Sequence, residues 1–199
     1  NEQVIDGKCE RCDTEVVEKK LTQWFMKITD YAEKLLDGLN TLSWREDIKE
    51  AQRAWIGKSE GAKLWFAIAD SVETIEVFTT RPDTVFGATY VVLAPEHPLV
   101  TRLSPSITNQ KEVETYRTKT SQKTELERSE NKEKTGMLLK GVSAINPATK
   151  EHIPVYIADY VLASYGTGAV MAVPAHDERD FDFAKKHTLP IAEVVSKLF

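Results

Sequence analysis

The sequence predicts an α+β fold, a helical segment followed by a mixed, barrel-like β-sheet with a few helices. Three observations predict it. Apolar residues recur at helical spacing through residues 21–55. From residue 62 they alternate at strand spacing instead. Between Asp177 and His187 an acidic start and a basic end suit the dipole of one more helix. The change of period sets a boundary near Gly57–Ser59, separating residues 1–57 from a sheet-bearing domain over 58–199.

The elements follow in order. Leu21, Trp24, Phe25, Ile28, Ala32, Leu35, Leu36 and Leu39 form one stripe, which predicts an amphipathic helix over 21–39. A shorter helix, Ile48 to Trp55, stops at Gly57. Leu64, Phe66 and Ile68 alternate with Lys63, Trp65 and Ala67, and Ile75, Val77 and Thr79 alternate again, giving two strands. Thr84 to Ala94 reads as a buried strand broken at Gly87, closed by Pro95 and Pro98, which open a short helix. In residues 109–135, 13 of 27 are charged, so this stretch is expected as a solvated helix pair or loop without chemistry. Strands return at Met137–Val142 and Ile153–Ala158, around a turn at Asn146-Pro147-Ala148-Thr149, and again at Tyr160–Ser164 and Ala169–Val173.

Composition bounds the function. The chain has 199 residues, 41% hydrophobic and 29% charged, so it can bury an ordinary core. No apolar run approaches the roughly 20 residues of a membrane span, and the polar start lacks a signal pattern, so the expectation is a cytoplasmic protein. A net charge of −5 argues against strong nucleic-acid binding by this chain alone, because phosphate neutralisation supplies most non-specific affinity.

Several motifs have a plain structural reading beside a functional one. Cys9 and Cys12 are half of a zinc set, and the four histidines are far away in sequence, so no metal is expected. Gly57-Lys58-Ser59 fails as a phosphate loop, because Gln52 stands where that motif needs glycine. Thr79-Thr80-Arg81-Pro82-Asp83-Thr84 is either a strand end with a turn or a cluster of hydroxyls and a guanidinium suited to a nucleotide ester. Gly166-Thr167-Gly168 lacks the third glycine of a dinucleotide fingerprint and reads as a tight turn. Met171 and Val173 alternate as core residues do. His176-Asp177-Glu178-Arg179-Asp180 has three readings: a capped helix start, a metal site, or recognition of a substrate ammonium by a carboxylate.

The threonine-rich segment at 79–84 and the stretch Gly166–Asp180 together resemble the editing domain of leucyl-tRNA synthetase. The likeness extends to Gln52-Arg53-Ala54-Trp55-Ile56-Gly57-Lys58-Ser59-Glu60-Gly61 and covers nearly the whole chain. Ala169-Val170-Met171-Ala172-Val173-Pro174 before the His-Asp-x-x-Asp cluster looks leucyl-type rather than isoleucyl- or valyl-type. The resemblance implies that residues 1–57 hold part of a zinc-type module and a helical connection. It also implies that 58–199 are the editing domain, continuing past Phe199.

The activity implied is ester hydrolysis of mischarged tRNA(Leu), carrying norvaline, isoleucine or similar residues. The partners implied are the tRNA 3′ end with its aminoacyl-adenosine and the remainder of the synthetase. No cofactor is implied for editing; ATP and magnesium serve only the full-length enzyme. By the same resemblance, Thr79, Thr80 and Asp180 carry the catalysis, Asp180 by holding the ammonium. Arg81 and Tyr165 lie near the terminal adenosine, Met171 and Val173 wall the pocket, Asp177 caps and orients, and Thr84 blocks leucine. A binding module without catalysis, and a metal hydrolase using His176 and Asp177, are the alternatives. Asp180 is expected on an exposed first turn, where its removal would cost little stability.

Overall fold

A computed structural model describes residues 3–5, 7–16, 21–130, 135–164 and 166–196. The chain forms two compact units, Asn1–Glu60 and Gly61–Phe199.

In the first unit a small hairpin pairs β1 (Val4–Ile5) with β2 (Lys8–Cys9). Cys9 and Cys12 are free thiols. The expected helix over 21–39 is shorter than its stripe: residues 21–27 are irregular, Ile28–Tyr31 is a 3-10 turn, and α1 covers only Ala32–Leu39. Leu21, Trp24, Phe25 and Ile28 are exposed, so the first half of the stripe has no surface to pack against in this unit. An apolar stripe forms a helix in water only when its face is covered. The second helix, α2 (Glu46–Ile56), ends as expected, with Gly57 in the left-handed conformation at φ 63°.

The second unit is built on one six-stranded mixed sheet. Its strands are β3 (Ala62–Ile68), β4 (Thr74–Thr79), β5 (Tyr90–Leu93), β6 (Gly136–Ile145), β7 (His152–Ala158) and β8 (Ala169–Ala172). The spatial order is β4-β3-β6-β7-β5-β8. Among these pairs β5–β7 is parallel and the others are antiparallel. The edge strands β4 and β8 lie side by side without a hydrogen-bonded ladder, so the sheet curls into an open barrel.

Inside the curl, Phe66, Ile75, Val77, Val91, Leu93, Val155, Ile157, Met171 and Val173 share the main core. On the outer face of β5, β7 and β8, a second cluster gathers Tyr90, Val92, Tyr156, Ala172 and Phe183. Phe183 belongs to a helix, α6 (Glu178–His187), which covers that face and stacks on Tyr90 with ring centroids 5.4 Å apart. The central strands are thus buried on both sides. That is why Tyr90–Leu93 reads as an unbroken apolar run rather than an alternation.

One expected strand is shorter than expected and another is absent. Residues 82–87 form a 3-10 turn, and the strand begins only at Tyr90. Pro82 and Asp83 supply turn chemistry that outweighs the apolar residues behind them. Tyr160–Ser164 is a loop. The charged stretch holds two helices, α4 (Gln110–Ser121) and α5 (Glu125–Glu130), after a short α3 (Pro98–Arg102).

The helix α5 is not merely solvated. Arg128 is 5% exposed; it donates to the Asp159 and Val161 carbonyls and pairs with Glu96 at 2.8 Å. Lys123 meets the buried Asp159 carboxylate at 3.1 Å, and Ser164 donates to Glu125. A charged run therefore anchors the loop that leads toward β8.

Candidate functional site

Thr79 ends β4 on the inward face shared with Ile75 and Val77, and its Oγ1 accepts from the Arg81 backbone N–H at 3.0 Å. Thr80 is exposed at the bend. Arg81 is exposed and makes a two-point pair with the Asp83 carboxylate, at 3.0 and 2.8 Å. The guanidinium holds that carboxyl below the usual range. The Arg81 carbonyl accepts from Thr84 twice, from its N–H and, at 2.8 Å, from its hydroxyl. Thr84 is 2% exposed, so the turn presents a fixed threonine rather than a mobile one.

The turn is held from two sides. Asn146, fully buried in the β6–β7 turn, donates to the carbonyls of Val85 and Ala88 at 2.9 and 3.1 Å. On the other side the chain at 192–194 passes close over Gly87. A Cβ there would lie 2.9 Å from both the Ala192 carbonyl and Val194 Cγ2, so no larger residue fits without movement. The same point lies 3.3 Å from Val173 Cγ1, which puts the turn against the end of β8.

Met171 and Val173 are buried in the main core on the inward face of β8. Just beyond, Asp177 caps α6 by accepting from the N–H groups of Arg179 and Asp180. Burial works against its ionisation, yet Arg179 and those amides hold its pKa below the ordinary range. His176 Nε2 faces the N–H groups of Val194 and Val195 at 3.3 Å. It also lies near enough to Asp83 to act on that carboxyl electrostatically. The structure thus brings the threonine-rich turn, the end of β8 and the start of α6 together. Tyr165 lies outside the described residues.

Asp180 departs from expectation. It is 9% exposed, not on an open first turn. Its Oδ2 accepts from the Val173 N–H at 2.8 Å, and no hydrogen bond occupies Oδ1 among the described residues. Burial raises its pKa to about 7; the Val173 amide and Arg179 oppose this, and Asp177 adds to it. Tyr90, from β5, donates to the Asp180 backbone carbonyl at 2.9 Å, and the half-buried Tyr160 is close enough to feel the Asp180 charge. Burial drives both phenol pKa values upward, so both stay neutral. The carboxyl therefore sits in a low-dielectric niche, where it gains most from a cationic partner.

Sequence reasoning missed Tyr90, Asn146 and Tyr160. Tyr90 and Tyr160 look like strand residues, and Asn146-Pro147 reads only as turn chemistry. An open cleft of about 580 Å³ lies elsewhere, on the outer face of β3 and β4, lined by Lys63, Glu76, Phe78, His97 and Arg102 among others. Its cations are already paired, Lys63 with Glu76 and Arg102 with Glu73.

With this geometry in place, a family model described as "Leucyl-tRNA synthetase, editing domain" matches residues 53–198. The chain belongs to that family. The leucine–tRNA ligase of Clostridium tetani is 56% identical over 196 residues, covering 98% of this chain and 24% of the relative. That of Clostridium botulinum is likewise 56% identical, and that of Alkaliphilus oremlandii 52% identical over 197 residues, with the same shares covered. The chain spans about a quarter of the length of these curated relatives. Among solved structures, the agnB2 LeuRS of Agrobacterium radiobacter K84, in a ternary complex with tRNA and LeuAMS, matches with a TM-score of 0.76 and 40% identity. The match covers all of this chain and 24% of that one. Among the described residues no helix is long and apolar enough to cross a membrane.

Proposed function

We propose that this editing domain hydrolyses the ester of tRNA(Leu) carrying the wrong amino acid, as one part of a leucine–tRNA ligase. One observation carries the reading: a buried carboxylate, Asp180, is tied to the end of β8 beside a turn that holds Thr84 rigidly. An aminoacyl ester offers one positive charge, its α-ammonium, and a desolvated carboxylate is the group that recognises it best.

In the mechanism, Asp180 holds the ammonium and the hydroxyls of Thr79 and Thr80 align the ester and the attacking water. Arg81 serves the terminal adenosine and its phosphate. Water adds to the carbonyl carbon, the ester C–O bond breaks, and the ribose oxygen leaves with a proton, giving free amino acid and tRNA. Positioning supplies the rate, with no strong protein base in the assignment. Met171 and Val173 wall the acyl pocket, and Thr84 stands where the branch of leucine would go. The sieve is needed because one methylene in an apolar pocket discriminates by only ~1–3 kcal/mol. The tRNA in the ternary complex of the Agrobacterium relative supports a tRNA partner.

Hydrolysis is proposed to need no metal. In support, His176 Nε2 is engaged by two backbone amides and the Asp177 carboxylate by the helix cap and Arg179. The test is deacylation of isoleucyl-tRNA(Leu) by this fragment beside the full-length synthetase, with and without chelator. Absence of deacylation by the full-length enzyme would leave a domain that only positions the tRNA end. Loss on chelation, restored by zinc, would replace the reading with a metal hydrolase.

A further inference from the structure

Asn146 is fully buried and uses both ends of its amide. Its Oδ1 accepts from the N–H groups of Ala148 and Thr149 at 2.9 and 3.3 Å, closing its own turn between β6 and β7. Its Nδ2 reaches 61 and 58 residues back along the chain, to the carbonyls of Val85 and Ala88. Those two carbonyls bracket Phe86 and Gly87, directly after Thr84. The Val85 carbonyl also takes the Ala88 N–H that ends the 3-10 turn. The amide thus fixes the turn from one side, while the chain at 192–194 limits it from the other.

We infer that Asn146 is a positioning residue for specificity: its amide nitrogen fixes the turn that carries Thr84, and thereby sets how far Thr84 projects into the acyl pocket. The inference rests on the assignment of Thr84 as the group that excludes leucine. The two ends of the amide separate the roles. The oxygen serves the local turn, and the nitrogen serves the sieve. Buried donors that bridge two carbonyls hold backbone to a fraction of an ångström, and a sieve for one methyl group needs that precision.

The test uses the full-length synthetase. Asn146→Asp keeps the oxygen acceptor and the side-chain shape, and removes the two donors. Asn146→Ser keeps a short hydroxyl for the local turn and cannot span to Val85 and Ala88. Cognate leucyl-tRNA(Leu) and isoleucyl-tRNA(Leu) are the substrates, with Thr84→Ala in parallel. The expected result is cognate hydrolysis raised by about tenfold or more, the scale of gaining room for one methylene, while kcat/KM for the isoleucyl ester stays within about threefold. A purely structural role would lower the melting temperature and both activities together.

If Thr84→Ala releases leucine and both folded Asn146 variants spare the cognate ester, the inference is overturned and the pocket assignment stands. If Thr84→Ala also spares it, the assignment of Thr84 falls and the inference falls with it. If neither Asn146 variant folds, as judged by aminoacylation and melting, Asn146 serves the fold as such and the inference is overturned. Should only Asn146→Ser fold, its cognate hydrolysis decides.

Discussion

Replacing Asp180 by asparagine removes the charge and little else. The amide oxygen can still accept from Val173 N–H, so the end of β8 stays tied to α6. Replacement by alanine leaves that N–H unsatisfied, at a cost of ~1–3 kcal/mol, more than an exposed helix-start carboxylate would suggest. The stability consequence of the charge has a definite sign. In the folded chain the carboxyl holds its proton up to about pH 7, against an ordinary value of 3.8. The folded state therefore binds more protons between these values, and this group's contribution to stability falls as pH rises from about 4 to about 7. The full gap corresponds to a destabilisation on the order of 4 kcal/mol above pH 7. A neutral amide at this position lacks that slope, so the Asp180→Asn protein should match wild type near pH 4 and melt higher at pH 8.

Editing should move the opposite way. Loss of a charge-assisted bond to the ammonium costs ~1.5–3 kcal/mol, or about 10- to 150-fold in kcat/KM. In wild type, kcat/KM for isoleucyl-tRNA(Leu) should rise through about pH 7 as Asp180 ionises. It should level or fall again near pH ~8, where an α-amino group loses its proton. The assay is deacylation by the full-length enzyme between about pH 5.5 and 8.5, spanning both ionisations, beside thermal melts of the same proteins. Wild-type kcat/KM in Asp180→Asn, or a flat wild-type profile across this range, refutes the ammonium contact. A melt of Asp180→Asn no higher than wild type at pH 8 refutes the buried-charge argument.

Three further outcomes follow from the same geometry. Thr84→Ala should hydrolyse cognate leucyl-tRNA(Leu), about tenfold or more above wild type, because the rigid β-branched side chain no longer blocks the leucine branch; equal sparing of the cognate ester by both proteins would remove Thr84 from the sieve. Arg128→Ala should cost ~2–4 kcal/mol by denaturant melts, since it strands the carbonyls of Asp159 and Val161 and leaves Glu96 to water; a change under about 0.5 kcal/mol, the size typical of surface sites, would mean that the clamp contributes nothing. Gly87→Ala should displace the chain over the turn and cost ~1–3 kcal/mol; an unchanged melt would mean that residues 192–194 yield freely.

The fold was legible in the sequence through its periods, and the family through its resemblance. The sequence misled where a local pattern was overruled by what packs against it. The apolar stripe at 21–27 lacked a covering surface within its unit, and the run from Thr84 onward was bent by Pro82 and Asp83 before it could extend. Asp180 looked like an ordinary helix-start acid because its partner, the Val173 N–H, is a backbone group with no sequence signature. Arg128 looked like one charge among 13 in residues 109–135, yet its guanidinium is buried against carbonyls 31 and 33 residues away. Long-range hydrogen bonds to main chain leave no trace in composition or spacing.

The unzipped seam between β4 and β8 has a consequence for how such a sieve evolves. A closed ladder would fix the width of the barrel mouth by backbone pairing, and a change of acceptance would require a new register. Here the two edges meet through side chains rather than through a ladder. If Met171 and Val173 wall the acyl pocket as proposed, small replacements at them, beside the buried Ile75 and Val77, would reshape it while every existing strand pair survives. On the proposed function, acceptance would then change by single substitutions without a new strand register, at the stability cost that any replacement in a packed core carries.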